Sequence, residues 1–249
     1  MSVRVKTASG GAHTSRTMML SELTHLLASR PATASLGDFQ TAVLEENVLG
    51  KASESGRRRS LRYLRELYAL DPNVPLFRGL QHLWRLNDGA QPLLALSSAL
   101  QRDPSLRGTA PVILEASPDS SVSADMLADA LSEAYPGSYS HAVAHKIGRN
   151  AASTWTQSGH LAGRSRKIRV RAAPTPHSVA YALYCAHLSG RQGEPLFDAI
   201  EVRAQDAAPY VLRELAREAS RRGFVDFRST GGVTEIRFDF LESRLESTP

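Results

Sequence analysis

His141 and His145 stand four residues apart in a stretch with helical periodicity, which is the spacing of paired zinc ligands on one helix face. Zinc hydrolases with this pattern have a glutamate directly after the first histidine, but Ala142 occupies that position. Residues 134–193 contain no Asp or Glu that could act as a third ligand or general base. We therefore expect these histidines to be surface residues or neighbours of phosphate, and we expect no metal site.

Other patterns typical of catalysis are weak or absent. Glu45 and Glu46 are adjacent, so their carboxylates diverge on a helix and suit joint acid–base chemistry poorly. The chain contains no GxxxxGK[ST], GxGxxG or GxSxG motif. The lone Cys185 lies in an apolar run, excludes an internal disulfide and is predicted to be a buried thiol. The sequence thus predicts a protein that is not an enzyme, with no cofactor and no small-molecule substrate.

The positive charge of the chain is concentrated in the same acid-free stretch. It contains eight basic residues, namely Lys146, Arg149, Arg164, Arg166, Lys167, Arg169, Arg171 and Arg191. Since the whole chain has a net charge of +5, the remainder sums to −3. A localised basic surface indicates an anionic partner, nucleic acid before membrane.

Residues 138–172 combine a basic amphipathic helix with a basic hairpin. Val143, Ile147, Ala151 and Trp155 recur every four residues and predict the buried face of a helix. Ser138 or Ser140 is expected to cap this helix, and Gly159 to end it. After Leu161, residues 166–172 alternate in polarity, which predicts a hairpin with its tip at residues 163–165.

A helix with a basic, amide-rich face followed by a basic hairpin is typical of the winged helix-turn-helix, in which the helix enters the major groove and the hairpin contacts the backbone. The alternative is a solvated basic helix beside an ordinary hairpin. On the first interpretation the DNA-contacting residues are Lys146, Arg149, Asn150, Ser153, Gln157, Arg164, Arg166, Lys167, Arg169 and Arg171.

A second basic helix is predicted over residues 53–70. Its candidate DNA-contacting residues are Arg57, Arg58, Arg59, Arg62 and Arg65. Arginines near a helix N-terminus oppose the helix dipole and so do not serve helix stability. The alternative is that they pair with the nearby acids Glu45, Glu46, Glu54 and Glu66.

The expected fold is mainly α with small β-hairpin wings, an α+β protein built from winged helix-turn-helix modules. We predict a flexible basic arm over residues 1–16, a helical domain with a helical connector over 17–116, a linker over 117–123, a basic winged-helix module over 124–172 and a C-terminal winged-helix-like module over 176–249. The last module is predicted to contain a helix over 195–203 and a hairpin that turns at Gly231–Gly232. Acids on that hairpin favour packing or protein contact over DNA.

No segment has the uninterrupted apolar length of a membrane span, and the N-terminus lacks the apolar core of a signal peptide. A cytoplasmic location without membrane association is therefore expected.

Residues 45–70, EENVLGKASESGRRRSLRYLRELYAL, and residues 144–167, AHKIGRNAASTWTQSGHLAGRSRK, resemble the BrxA family of the BREX bacteriophage-defence systems. The resemblance covers nearly the whole chain in order and spacing, apart from the tail after Phe240. It implies a mostly helical protein with winged-helix modules that binds double-stranded DNA and supports the defence system without being its catalyst. Other BREX proteins are implied as partners, and no catalytic residue is carried over.

Three hypotheses follow. The first is a bacterial, non-enzymatic DNA-binding protein of phage defence with low sequence specificity, because arginines outnumber base-contacting amides. The second is an adaptor whose basic face docks an acidic protein partner. The third is a sequence-specific transcriptional regulator, which would require a palindromic site and an obligate dimer.

Overall fold

A computed structural model describes residues 10–243. In this range the chain is mainly helical, with two small antiparallel hairpins, as the sequence predicts. The α-helices are α1 Leu20–Ala28, α2 Leu36–Leu44, α3 Glu54–Tyr68, α4 Pro75–Trp84, α5 Gln91–Arg102, α6 Pro104–Arg107, α7 Ala110–Glu115, α8 Ala124–Ala134, α9 His141–Gln157, α10 Pro176–Leu188, α11 Ile200–Arg203, α12 Pro209–Arg221 and α13 Asp239–Glu242. The strands are β1 Leu161–Ala162, β2 Ile168–Arg169, β3 Asp226–Thr230 and β4 Val233–Arg237.

Side-chain caps define the starts of the helices that matter for the site. Ser53 accepts a hydrogen bond from Gly56 N at the start of α3, and Ser140 accepts one from Val143 N at the start of α9. Of the two serines predicted to cap α9, Ser140 does so. Helix α1 begins at Leu20, because Met19 takes a left-handed backbone conformation with φ 54°.

The helices α5 and α10 lie at the centre of the hydrophobic core. Helix α10 is buried on nearly every side and packs against α4, α5, α11 and α12. Tyr181 donates a hydrogen bond to Leu76 O at 3.0 Å, and Gln101 donates one to Cys185 O at 3.1 Å. Helices of the predicted N-terminal and C-terminal parts therefore share one core, in which Cys185 is a buried unpaired thiol, as predicted.

The helix pair α8 and α9 crosses closely at Gly148. A Cβ atom at this position would overlap the carbonyl oxygen of Ala124, so the crossing requires a residue without a side chain. Ile147, Ala151 and Trp155 are buried as predicted, whereas Val143 is exposed. Ala144, one position later, is buried against α8 instead, so the buried face of α9 already begins in its first turn.

The short hairpin β1–β2 follows α9, with Leu161 opposite Arg169. Residues 117–123, predicted to be a linker, instead lie alongside β2. Asp119 N donates to Arg169 O at 2.9 Å, and Val122 N donates to Lys167 O at 3.0 Å. Burial of Val122 explains why this Ser-rich segment is held against the hairpin.

The C-terminal hairpin β3–β4 turns at Gly231–Gly232, as predicted, with Thr230 opposite Val233 and positive φ angles of 61° and 81° at the two glycines. The single helix predicted over residues 195–203 is wrong. A 3₁₀ turn at Glu194–Leu196 and the short α11 replace it, because Ala199 is extended with ψ 146° and turns its side chain into the core. Within residues 10–243, no helix has both the length and the apolar composition needed to cross a bilayer.

Candidate nucleic-acid interface

Helix α9 presents a polar face to solvent. Lys146 and Arg149 are exposed and Ser153 is half-buried, while the opposite face packs against α8 and the core. Among residues 10–243, no carboxylate lies within ion-pair distance of Lys146 or Arg149. This part of the predicted recognition helix is therefore positively charged and accessible.

A segment of the N-terminus covers one edge of the same helix. We call residues 10–19 the strap. Asn150 donates a hydrogen bond to His13 O at 2.7 Å, and Gln157 accepts one from Leu20 N at 3.2 Å. The two amides predicted to contact base edges are thus engaged within the chain, because the strap and the start of α1 run along their side of α9.

The strap also corrects the predicted flexible arm. Residues 10–16 of that arm are packed in place, with His13 completely buried, while residues 1–9 lie outside the described part of the chain. His13 Nδ1 lies 2.7 Å from Asp103 Oδ2, and His13 Nε2 lies 2.7 Å from Thr154 Oγ1. Thr154 also accepts a hydrogen bond from Met18 N at 2.8 Å. Two buried polar side chains, one on α9 and one preceding α6, therefore fasten the strap.

Asp103 is ionised in this network. Burial alone would raise its pKa, but hydrogen bonds from His13 and Ser105 together with the adjacent His13 ring lower the pKa of Asp103 to about 2. Its second oxygen accepts from Ser105 N at 2.9 Å and from Ser105 Oγ at 2.5 Å. The carboxylate thus caps α6 and anchors the strap with the same group.

The tip of the hairpin β1–β2 is basic and solvent-exposed. Arg164 and Arg166 are exposed on the loop between the strands, and Lys167 is half-buried with its Nζ donating to Gly163 O at 2.6 Å. Within residues 10–243, none of these three residues has a carboxylate at ion-pair distance. The predicted wing tip is thus an accessible positive loop.

Arg169, predicted above to contact DNA, is buried, with 2% of its surface exposed. Its Nη1 and Nη2 donate to the two carboxylate oxygens of Asp206 at 2.9 and 2.6 Å, and its Nε donates to Ile113 O at 2.9 Å. The alternation of β2 points this residue inward, where a two-point ion pair neutralises it.

Arg171 is exposed but also paired with the same carboxylate. Its Nη1 lies 2.9 Å from Asp206 Oδ1, and Ala172 N donates to Asp206 Oδ2 at 2.8 Å. Burial raises the pKa of Asp206, but the bonds from Arg169 and Ala172 outweigh it and hold the pKa below its ordinary value. Asp206, 35 residues beyond Arg171 in the chain, thus neutralises part of the positive charge predicted for residues 166–172.

The arginines of α3 form a second basic surface. Arg58, Arg59, Arg62 and Arg65 are exposed, while Arg57 is half-buried. Arg58 pairs with Glu54 at 2.5 Å, one of the four acid pairings expected in the alternative interpretation. Within residues 10–243, no carboxylate lies at ion-pair distance from the other four arginines. The helix is therefore only partly neutralised.

A leucine-floored cleft lies beside these arginines. It measures about 610 Å³ and runs between α2, α3 and the segment before α4. Leu36, Leu44 and Leu61 line its floor. Its charged lining residues are Arg58, Arg62, Arg65, Arg102, Glu66 and Asp71. Burial raises the pKa of Glu66 above its ordinary value, which indicates a partly desolvated environment.

The positive charges of α12 and of the hairpin β3–β4 are neutralised locally. On α12, Arg217 pairs with Glu214, and Glu218 pairs with Arg221 at 2.6 Å and Arg222 at 2.9 Å. On the hairpin β3–β4, Asp226 pairs with Arg228 at 3.1 Å and also with Arg237. Basic residues without an acidic partner are thus found on α3, α9 and the wing tip, whereas those of α12 and β3–β4 have one.

His141 and His145 lie on the first turns of α9, where His141 is exposed and His145 is half-buried. Their Nε2 atoms are 3.0 Å apart, and His145 Nδ1 lies 2.9 Å from Asp125 Oδ1 on α8. The carboxylate missing from the surrounding sequence is thus supplied by the neighbouring helix. Within residues 10–243, no group of three or more His, Cys, Asp or Glu side chains is arranged to hold a metal ion.

The sequence run WTQSGHL, residues 155–161, forms the corner between α9 and β1. Trp155 Nε1 donates to Thr109 Oγ1 at 3.0 Å, and His160 Nε2 lies 3.0 Å from Ala204 O. Both side chains are completely buried. This run therefore fixes the hairpin on the core.

No protein-family model and no curated protein matches the chain.

Proposed function

We propose that this chain is a non-enzymatic double-stranded DNA-binding component of a bacterial BREX phage-defence system. The observation that carries the proposal is the placement of basic residues without acidic partners among residues 10–243. Most of them lie on α9, on the wing tip and on α3, whereas the arginines of α12 are matched by glutamates. The resemblance to the BrxA family supplies the defence context, which implies a cytoplasmic location and other BREX proteins as partners.

The contacts of this protein with DNA are proposed to be mainly phosphate contacts. Lys146, Arg149, Arg164 and Arg166 are exposed cations that suit phosphate oxygens. Asn150 and Gln157, the side chains best suited to base edges, are engaged by His13 of the strap and by Leu20 of α1, respectively. This division supports binding with low sequence specificity and speaks against a sequence-specific regulator.

The test is a fluorescence-anisotropy titration of random-sequence duplex at two salt concentrations. With about six to ten phosphate contacts, affinity should fall by about 10³–10⁵ between about 50 and 200 mM salt. Arg164→Glu/Arg166→Glu should weaken binding strongly, while Arg221→Glu/Arg222→Glu, which changes net charge equally, should not. Absence of salt-sensitive binding by the wild-type protein would refute the proposal. If Arg164→Glu/Arg166→Glu binds duplex as tightly as the wild type, the wing is not a DNA contact, but the proposed DNA binding by the rest of the protein is not refuted.

The leucine-floored cleft favours a second candidate, an adaptor for an acidic protein partner. Leu36, Leu44 and Leu61 offer nothing to a phosphate backbone, but they suit the apolar side chains of a protein segment whose carboxylates meet the arginines around the cleft. Leu36→Gln/Leu44→Gln should then reduce co-purification of another protein of the same defence system while DNA affinity is retained. A co-purification yield equal to that of the wild type would exclude this use of the cleft.

A further inference from the structure

A second, smaller cleft lies at the junction of the two basic helices α3 and α9. It measures about 310 Å³ and is lined by residues of the strap, of α1, of the segment before α3, of α3 and of α9. The lining residues are Ser15, Arg16, Thr17, Met19, Glu22, Lys51, Gly56, Ser60 and Asn150. Only Met19 is apolar, so the cleft has the character of a site for a small polar or ionic group.

Arg16 is held at this cleft by the strap. Its backbone N donates to Ala12 O at 2.8 Å, and its guanidinium carbon lies 5.8 Å from the centre of the Tyr63 ring. Arg62 of α3 lies over the same ring at 4.5 Å. Arg16 is therefore positioned beside the basic surface of α3 by a segment that is itself fastened to α9.

Lys51 reaches the cleft from the opposite side. The side chain of Asn47 fixes its backbone, accepting from Lys51 N at 2.8 Å and donating to Lys51 O at 3.0 Å. Its Nζ lies 3.1 Å from Glu22 Oε1. The lining thus contains two cations and one carboxylate, and the carboxylate is already matched by Lys51.

We propose that this cleft binds a phosphate group of the DNA backbone, with Arg16 and Lys51 as its cationic contacts. The inference rests on the proposed DNA-binding function and extends it to two residues outside both basic helices. Because Asn150 and Gly56 line the same cleft, a phosphate bound here lies between α9 and α3. A single strand of the duplex passing over the strap then contacts both helices.

The experiment compares the salt dependence of duplex binding between matched variants of the full chain, using a labelled random-sequence duplex of about 20 base pairs. Each lost phosphate contact lowers the magnitude of the slope of log affinity against log salt by about 0.9, so Arg16→Gln/Lys51→Gln, which removes both cationic contacts of one phosphate, should lower it by about 0.9. Arg221→Gln/Arg222→Gln removes the same charge on α12 and should leave the slope unchanged. Equal slopes for both double variants and the wild type would overturn the inference, whereas failure of the wild type to bind duplex would overturn the proposed function.

A variant that removes a negative charge from the cleft provides a second measurement, because the expected effect is a gain of duplex affinity. Glu22→Gln removes the carboxylate from the cleft and releases Lys51, so it should raise duplex affinity at low salt. The control Glu214→Gln, an exposed glutamate paired with Arg217 on α12, should have a much smaller effect. Equal effects of the two variants would overturn the inference.

A competition arm distinguishes the DNA backbone from a free phosphate compound. Deoxyadenosine monophosphate is added at constant ionic strength to the wild type and to Arg16→Gln/Lys51→Gln. Duplex binding that resists the mononucleotide supports a backbone site, whose affinity comes from many phosphates. Displacement of duplex from the wild type alone would assign the cleft to a free nucleotide and overturn the inference.

Discussion

The guanidinium of Arg169 and the carboxylate of Asp206 form a buried two-point ion pair that fastens the wing to the segment between α11 and α12. Both groups are nearly inaccessible to solvent, with side-chain exposures of 2% and 3%. Asp206 also accepts from Ala172 N, where the hairpin leaves the core. The base of the hairpin β1–β2 is thus fixed by a residue from the segment between α11 and α12, and the basic residues of the hairpin that have no acidic partner lie at its tip.

Breaking this pair should destabilise the protein without reducing DNA affinity. Asp206→Asn leaves the Arg169 guanidinium buried without a counter-charge and should lower the free energy of unfolding by about 3–5 kcal/mol. Arg169→Met should cost less, because Asp206 keeps Arg171 and Ala172 N as partners. Urea unfolding measures the free energy of unfolding of both variants. Arg203→Met, which replaces an exposed arginine on α11, is the control. Selective loss of DNA affinity in a fully stable Arg169→Met would contradict the buried assignment.

Stability should decrease as the pH falls below neutrality because His160 is buried as a neutral ring. Burial lowers the pKa of His160 from 6.5 to about 4, although Asp206 acts in the opposite direction. Between these pH values the unfolded chain binds a proton that the folded chain does not. The stabilisation is therefore complete above pH 6.5 and is lost toward pH 4, on the order of 3 kcal/mol in total.

The measurement for this titration is the urea midpoint at about pH 7 and about pH 5, both above the ordinary pKa values of Asp and Glu. Burial also lowers the pKa values of His82 and His177, so their protonation adds to the loss in the wild type. His160→Gln keeps a donor toward Ala204 O and should show a loss smaller by about 2 kcal/mol. His25→Gln, an exposed histidine on α1, should behave as the wild type does. Identical pH dependence in both variants would contradict a buried neutral His160.

The hydroxyl of Thr154 should be required to hold the strap. Thr154→Val preserves shape but leaves Met18 N without its acceptor and His13 Nε2 without its partner. We expect a loss of about 1–3 kcal/mol and faster tryptic cleavage after Arg16, because local opening of the strap becomes easier. Thr156→Val, on the same helix, removes only a half-buried bond to Ala152 O and serves as the control. Cleavage at the same rate in both variants would show that Thr154 does not fasten the strap.

The crossing of α8 and α9 should depend on Gly148. In Gly148→Ala the added methyl group overlaps Ala124 O, so the helices must separate at a cost of about 1–3 kcal/mol. Gly37→Ala on α2 meets only Ser35 Oγ at 3.5 Å, so it should be neutral or stabilise by about 0.5–1 kcal/mol. Thermal unfolding compares the two variants. A stabilising Gly148→Ala would mean that the helices do not approach this closely.

Local patterns in the sequence are sufficient to predict most of the elements. The apolar repeat ending at Trp155 predicted α9, and Gly231–Gly232 predicted the tight C-terminal turn, because helix periodicity and positive φ angles are properties of short segments. The broken helix over residues 195–203 was not predictable in this way. Its interruption at Ala199 follows from packing against distant helices.

The sequence by itself determined a mainly helical chain with basic charge on α3, on α9 and at the wing tip. The tertiary structure decided which of those charges stay accessible. Arg169 meets Asp206 from 37 residues away, and Asn150 meets the backbone of His13 from 137 residues away. Linear charge patterns contain no information on such partners, since ion pairs and hydrogen bonds form between groups that only the folded chain brings together. The same folding brought Arg16 and Lys51 to one cleft.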